Sequence, residues 1–147
     1  MKSVNIQNKR ARFDYELLDK YVAGLQLTGT EIKSIRESKA TITDSFCSFK
    51  GDELFIVGMY IEEYAFGNYS NHQPKRERKL LLNRQELSKI EKKMKDVGLT
   101  IVPLRLFLSD KGWAKLEIAV AKGKKLHDKR NTLKDRDAQR DIDRAKK

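Results

Sequence analysis

Side chains able to perform covalent or metal chemistry are scarce in this sequence. It contains one cysteine, Cys47, and two histidines, His72 and His127, which lie in polar segments. No phosphate-binding glycine loop, serine nucleophile elbow or paired-histidine zinc motif is present. The adjacent carboxylates Glu62 and Glu63 fall in a predicted strand, where neighbouring side chains point to opposite faces. The residues therefore predict no catalytic centre, no metal site and no cofactor, so we expect a protein that is not an enzyme.

Positive charge is the dominant chemical feature of the chain. Lys and Arg outnumber Asp and Glu by 32 to 21, which gives a formal net charge of +11. Such an excess attracts polyanions, so RNA is the first partner to consider, although a solubilising surface would have the same composition. Contacts to phosphates supply affinity with little choice of sequence. The basic residues form three groups: Lys9, Arg10 and Arg12; Lys75, Arg76, Arg78 and Lys79; and the segment after Ala121.

Aromatic residues near the second basic group could stack on unpaired bases. Tyr69 and His72 lie in a polar loop predicted over residues 67–79, where we expect both rings to be exposed. Tyr60 and Tyr64 could stack in the same way or simply cover the protein body. The signatures of the common single-strand RNA modules are missing, so the pattern favours a folded RNA that is recognised by its shape.

These side chains must be positioned by short strands with two inserted helices. Alternation of apolar residues and the turn Lys50-Gly51-Asp52-Glu53 indicate antiparallel pairing. We predict a mainly β fold, an antiparallel barrel of the oligonucleotide-binding type with short helices; a small sandwich would have a similar pattern. The predicted strands are 13–27, 45–49, 54–57, 59–64, 100–108 and 113–121, and the predicted helices are 30–38 and 83–97.

The composition changes abruptly after Ala121, which divides the chain into a β-barrel body (1–122) and a basic tail (123–147). Residues 122–147 contain eleven Lys and Arg, five Asp and few apolar residues. Such a segment buries too little surface to offset its ordering entropy, so we expect it to be disordered when free. It could become helical on an anionic surface, or serve only as a solubilising tail. The basic face of that helix would comprise Arg136, Arg140 and Arg144.

The sequence also bears on the cellular compartment. The N-terminus lacks the apolar region of a signal peptide, and no stretch approaches the length of a membrane span. A single cysteine cannot form an internal disulfide, which favours a reducing compartment. We therefore expect a cytoplasmic protein without membrane contact.

Four motifs in register carry a family resemblance. They are Asn8–Arg12 with Asp14-Tyr15, Gly29–Arg36, Asn71-His72 with Arg78–Leu82, and Gly123–Arg130. Together they resemble the SsrA-binding protein (small protein B) family of bacteria. The resemblance implies a monomeric barrel that grips the tRNA-like domain of transfer-messenger RNA, where a tRNA would have its anticodon arm. It further implies that alanyl-tRNA synthetase and elongation factor Tu act through the RNA in the rescue of stalled ribosomes.

The resemblance also implies roles for individual residues. Asn8 and Leu81 match RNA-gripping positions, although an apolar residue such as Leu81 could instead belong to the core. Family members often carry Glu where this chain has Val22. Phosphate contacts are expected from charge at Lys33, Arg36, Arg78 and Lys79. The resemblance implies that the tail becomes helical in the empty message channel, at the small-subunit decoding centre. Gly123 would act as a swivel, His127 as a stacking ring and Ile142 as an apolar anchor. The other tail residues that match the family are Lys124, Lys125, Asp128, Lys129 and Arg130.

A general RNA chaperone or a ribosome-assembly factor is the alternative. Such a protein would bind many RNAs with steep salt dependence and little preference.

Overall fold

The computed structural model describes residues 4–67 and 71–124. Short strands predominate, in agreement with the predicted mainly β fold. In chain order, the elements are β1 (Asn5–Gln7), α1 (Ala11–Asp14), β2 (Tyr15–Leu25), α2 (Gly29–Arg36), β3 (Ala40–Thr41), β4 (Phe46–Lys50), β5 (Glu53–Val57), β6 (Tyr60–Ile61), β7 (Arg78–Leu81), α3 (Arg84–Lys93), β8 (Leu99–Leu108) and β9 (Ala114–Gly123).

The main sheet closes on itself. Its antiparallel strands follow the order β1-β8-β4-β5-β7-β2-β9, and β9 pairs back onto β8. One side of β8 is shared, because Ile101 pairs with β4 whereas Arg105 to Phe107 pair with β1. Pro103, which has no N–H to donate, lies between these two pairings. Closure confirms the predicted barrel over the sandwich, and it removes the free edges that favour aggregation.

Alternating apolar side chains fill the barrel. Leu54, Ile56, Leu116 and Ile118 are fully buried and belong to a single core cluster. Cys47 belongs to the same cluster, and its burial raises the pKa of the thiol well above the ordinary value. The cysteine is therefore a small apolar core residue, because a thiol held in its neutral form is a poor nucleophile.

The two longer helices begin with capping residues. The N-cap of α2 is Thr28, and its backbone N–H donates to Glu31 Oε1 at 2.8 Å. The helix therefore begins before the predicted start at Thr30, and Glu31 at its third position completes a capping box with Thr28. In α3, Asn83 accepts from the Glu86 N–H at 2.8 Å. That helix ends at Lys93, several residues before the predicted end at residue 97.

Other differences concern short elements. The structure adds β1, α1, β3 and β7, and it reduces the strand predicted over 59–64 to β6. Elements of two to four residues have too few positions to show a period, and their strand geometry depends on a distant partner. Strand β1, for example, exists through its pairing with β8, about a hundred residues further along the chain.

Candidate nucleic-acid interface

One outer face of the barrel combines apolar and basic side chains from five strands. Strand pairing aligns two rows across this face. The intervening residues, such as Ala23, Leu80 and Leu116, point into the core. We call these rows the sheet face. The first row is Leu81–Gly24–Lys115–Phe107–Asn5, and the second is Val22–Glu117–Arg105–Gln7.

Leu81 lies at the β7 end of the sheet face and is 50 % exposed. It packs over Gly24, where an added Cβ would lie 3.3 Å from the Leu81 Cβ. The structure therefore places Leu81 on the surface and Leu80 in the core, although both belong to one apolar triplet. Val22, 51 % exposed, extends the apolar surface along β2. An exposed apolar group at this position can contact a partner without any loss of core packing.

A groove of about 520 Å³ adjoins Leu81. Its wall includes Leu27 and Ile32 together with Arg36, which is exposed on α2. Trp113, in the turn before β9, lines the same groove and is 69 % exposed. This tryptophan was not among the predicted binding residues, although a lone Trp beside the turn at Gly112 was an available signal.

The other end of the sheet face meets the first basic group. Asn8 is fixed there, because its Nδ2 donates to the Pro103 carbonyl at 2.9 Å and its backbone N–H donates to the Leu104 carbonyl. Lys9 and Arg12 are exposed and line a cleft of about 500 Å³ that also includes Arg105. The structure thus brings these predicted residues together with a cation that the sequence analysis missed.

Two further predicted cations, Arg10 and Lys33, are exposed but each contacts a neighbouring side chain. Arg10 is exposed but lies 3.5 Å from Asp14 and near the Phe13 ring. Lys33 is exposed on α2, with its Nζ 5.4 Å from the centre of the Tyr64 ring. Both can reach a phosphate by rotating about side-chain bonds, since surface pairs of this kind are weak.

Arg78 is buried, in contrast to the prediction. Its side chain has no exposed surface, and its Nε donates to Glu31. Its other donors bind the carbonyls of Met59 at 2.7 Å and Pro74 at 3.0 Å, with Gln73 slightly further away. Burial lowers the pKa of Arg78, and Glu31 opposes that shift. The prediction of a phosphate contact is therefore wrong, because the guanidinium is inaccessible and its donors are occupied.

Glu31 is the centre of this buried cluster. Arg76 reaches the carboxylate from the surface side, with Nη2 2.6 Å from Oε1. Burial alone would raise the pKa of Glu31, but hydrogen bonds from Arg76, the Thr28 backbone and Arg78 lower it below its ordinary value. The ion pairs therefore join α2 to the segment that leads into β7.

His72 is also buried, with 6 % of its surface exposed. Its Nε2 lies 2.9 Å from the Ile61 carbonyl, and its Nδ1 lies 2.9 Å from Thr30 Oγ1. A carbonyl oxygen only accepts, so Nε2 donates to Ile61, and Nδ1 shares a hydrogen bond with the Thr30 hydroxyl. The predicted exposed stacking ring is thus a structural bridge, and the prediction is wrong.

Lys79 keeps partial access to solvent. Its side chain is 33 % exposed and its Nζ lies 2.8 Å from Glu53 Oε1. The predicted ring of Tyr69 lies outside the described residues. Phe66, which the sequence analysis did not select, is 80 % exposed and packs edge-on against Tyr64 at 5.7 Å.

The start of the predicted tail is part of the barrel. Gly123 pairs with Tyr15 at the end of β9. Lys124 donates from its backbone N–H to the Asp14 carbonyl and from Nζ to the Arg12 carbonyl, both at 3.0 Å. The remaining tail residues that were predicted to contact the ribosome lie outside the described residues: Lys125, His127, Asp128, Lys129, Arg130, Arg136, Arg140, Ile142 and Arg144.

The described residues also bear on metal binding and on membrane insertion. No cluster of three or more His, Cys, Asp or Glu side chains suited to a metal ion occurs in 4–67 and 71–124. In the same ranges, no helix has the length and apolar character needed to cross a membrane.

A closed antiparallel barrel with a basic and apolar outer face defines a protein of the oligonucleotide-binding-type class. Comparisons with known proteins identify the family. The model of the family described as "SmpB protein" matches residues 5–147. The chain therefore belongs to the SmpB family.

Its relatives are similar over most of their length. The SsrA-binding protein of Flavobacterium psychrophilum is 62 % identical over 147 residues, which cover 100 % of this chain and 98 % of the relative. That of Bacteroides thetaiotaomicron is 58 % identical, covering 97 % and 95 %. A solved structure reported as "tmRNA-SmpB: a journey to the center of the bacterial ribosome" is 44 % identical, with a TM-score of 0.70, and covers 84 % of this chain and 86 % of that chain.

Proposed function

We propose that this protein binds the tRNA-like domain of transfer-messenger RNA and delivers it to stalled ribosomes for trans-translation. The observation that carries the proposal is the family match over residues 5–147, in a barrel whose sheet face joins Leu81 to the basic residues at Asn8. The relatives are named for binding SsrA, and the similar solved structure is described in terms of tmRNA and the ribosome. The partners follow from that role: transfer-messenger RNA, and the ribosome at the decoding centre of its small subunit.

The sheet face suits a folded RNA. Exposed cations at its two ends, Arg12 and Arg36, can bind phosphates of separate strands, while Leu81 and Trp113 cover sugars or bases between them. Cations that are spread over one rigid surface recognise the shape of a folded RNA, because the spacing of its phosphates must match the spacing of the charges.

The finer steps are part of the same proposal. The basic tail, from Lys125 onward, senses the empty message channel, and elongation factor Tu and alanyl-tRNA synthetase act through the bound RNA. The protein works in the cytoplasm as a monomer without catalytic activity of its own. A division between RNA-binding body and ribosome-sensing tail agrees with the distribution of charge, since residues 122–147 carry eleven Lys and Arg against five Asp.

Competitive binding tests the proposal. The full chain is titrated with the labelled tRNA-like domain, against bulk tRNA and an unrelated hairpin of equal length, at about 0.15 M monovalent salt. We expect at least a tenfold preference for the tRNA-like domain, roughly 1.4 kcal/mol. Equal binding to the hairpin would refute the proposal and favour a general RNA chaperone.

A further inference from the structure

The arginines of this protein differ in how many donors they have left for a ligand. A guanidinium carries five N–H donors. Arg76 and Arg78 use theirs on Glu31 and on backbone carbonyls. Arg105 is different: its one hydrogen bond within the described residues joins Nη1 to Asn5 Oδ1 at 3.5 Å, and its side chain is 38 % exposed. Most of the donors of Arg105 are therefore available.

The Arg105 guanidinium is held in a defined orientation. Its Cζ lies 4.0 Å from the centre of the Phe107 ring, which projects from the same face of β8. On the neighbouring strand, Glu117 lies 3.9 Å from Nε. Stacking on an aromatic ring fixes the plane of a guanidinium and reduces the entropy lost when a ligand binds.

The charge around Arg105 favours an anion. The cleft beside it contains Lys9 and Arg12, and Lys115 lies diagonally across on β9. Glu117 is the single carboxylate lining this cleft. Within the cleft, three cations against one carboxylate produce a positive local potential, which suits a phosphate group and disfavours another cation.

We propose that Arg105, stacked on Phe107, binds a backbone phosphate of the RNA in the middle of the sheet face. The inference rests on the proposed RNA-binding function and deepens it. Arg105 lies in the second row of the sheet face, between the apolar end at Leu81 and the basic end at Asn8. Its contact joins these two ends into one continuous interface, and the fork geometry of the guanidinium allows two parallel hydrogen bonds to phosphate oxygens.

Two substitutions at Arg105 test this contact. Binding of the full-length chain to the tRNA-like domain is measured at several salt concentrations. We expect Arg105→Gln to lower the affinity about tenfold and to make the salt dependence less steep by about one released counterion. Arg105→Lys should lower the affinity about threefold with the salt slope unchanged, because the charge remains but the planar fork is lost.

A matched control removes a charge elsewhere. Lys89 is exposed on α3, outside the sheet face and its cleft, and it makes no ion pair with any described residue. Lys89→Gln should change the affinity less than twofold. If Arg105→Gln behaves like Lys89→Gln in both affinity and salt slope, Arg105 is not a phosphate ligand and the inference is overturned.

A double-mutant cycle with Phe107→Leu tests the stacked geometry. We expect Phe107→Leu to weaken binding about threefold and to have little further effect in the Arg105→Gln background, because the ring acts through the guanidinium. Fully independent effects would contradict the stacked site. Thermal unfolding midpoints establish that the variants remain folded.

The outcomes separate this inference from the proposed function. If the wild-type chain shows no preference for the tRNA-like domain, the proposed function fails. Arg105→Gln can still be compared with wild type on the hairpin, since phosphate contacts do not depend on sequence. A retained preference with an ineffective Arg105→Gln would instead refute only the Arg105 contact.

Discussion

Arg78 and Arg105 show how the same side chain serves two purposes in one barrel. Arg78 is fully buried and binds Glu31, whereas Arg105 is partly exposed and lies on an aromatic ring. A buried guanidinium is stable only when its charge is balanced and its donors are occupied. The first arginine therefore contributes to the structure of the RNA-binding body, and the second is available to a partner.

Replacement of Arg78 should damage the fold more than it damages RNA contact. We expect Arg78→Ala to lower the free energy of unfolding by about 3 kcal/mol, because Glu31 loses its buried cation and keeps Arg76 and the Thr28 N–H. Urea unfolding measures the change. Lys79→Ala, which breaks an exposed pair with Glu53, should cost less than about 1 kcal/mol. An unchanged unfolding free energy for Arg78→Ala would contradict the structural role.

Glu31 should make stability depend on pH in the acid range. Its pKa in the folded state lies below the ordinary value of 4.5, so its ionised form stabilises the fold at neutral pH. That contribution is present above the unfolded-state pKa and is lost as pH falls through the lower folded-state pKa. Urea unfolding of wild type and Glu31→Gln between pH 7 and pH 3 should therefore show a difference that shrinks as the pH decreases.

Glu53→Gln supplies the control for that series. Glu53 is half exposed in its pair with Lys79, so the substitution should change stability by less than about 1 kcal/mol throughout. If the difference in unfolding free energy between wild type and Glu31→Gln stayed constant down to pH 3, it would contradict the conclusion that Glu31 is ionised and paired in the folded protein.

At the scale of elements, strand β7 separates core from interface. Leu80 is 1 % exposed and Leu81 is 50 % exposed, because successive side chains of a strand point to opposite faces. Pairing with β2 places Leu81 over Gly24, a position without a side chain. The strand therefore contributes one residue to the barrel interior and its neighbour to the sheet face.

Adjacent alanine substitutions should have opposite effects. We expect Leu80→Ala to lower the free energy of unfolding by about 2–5 kcal/mol through a cavity in the core. Leu81→Ala should cost less than about 1 kcal/mol in stability and weaken binding of the tRNA-like domain about fivefold. Urea unfolding and RNA titration on both variants test the pair. RNA affinity that is unchanged in Leu81→Ala would remove this leucine from the interface.

Considered as a whole molecule, the protein combines a closed barrel with a strongly basic C-terminal segment. The barrel continues through Lys124, whose hydrogen bonds to the α1 segment complete the pairing of β9 with β2. The residues of the sheet face that we propose bind RNA all lie before this point. Removal of everything after Lys124 should therefore leave the described fold and the proposed RNA interface intact.

Truncation after Lys124 should separate RNA binding from action on the ribosome. We expect the shortened chain to bind the tRNA-like domain within about threefold of the full chain, since the sheet face is retained. Tagging on stalled ribosomes, measured in a reconstituted translation reaction, should be abolished. A large loss of RNA affinity would show that the tail is an RNA-binding hook and would contradict the proposed division of labour.

The sequence alone was sufficient to predict the class of this fold. The strands 45–49, 54–57, 100–108 and 113–121 were predicted within one or two residues, because alternation and turn residues are local signals. Closure into a barrel was predicted correctly, as was the mainly β class. Net charge and the four motifs pointed to RNA and to the family, which the match over residues 5–147 shows.

Only the tertiary structure decided which polar residues are free to contact a partner. Arg78 and His72 were predicted to be exposed, yet Glu31 and Ile61 bind them in the interior. Arg105 became a candidate only when pairing of β8 with β1 and β9 placed it on the sheet face. A side chain's accessibility depends on contacts with residues that are distant in sequence. Composition and periodicity are local properties, so they do not predict those contacts.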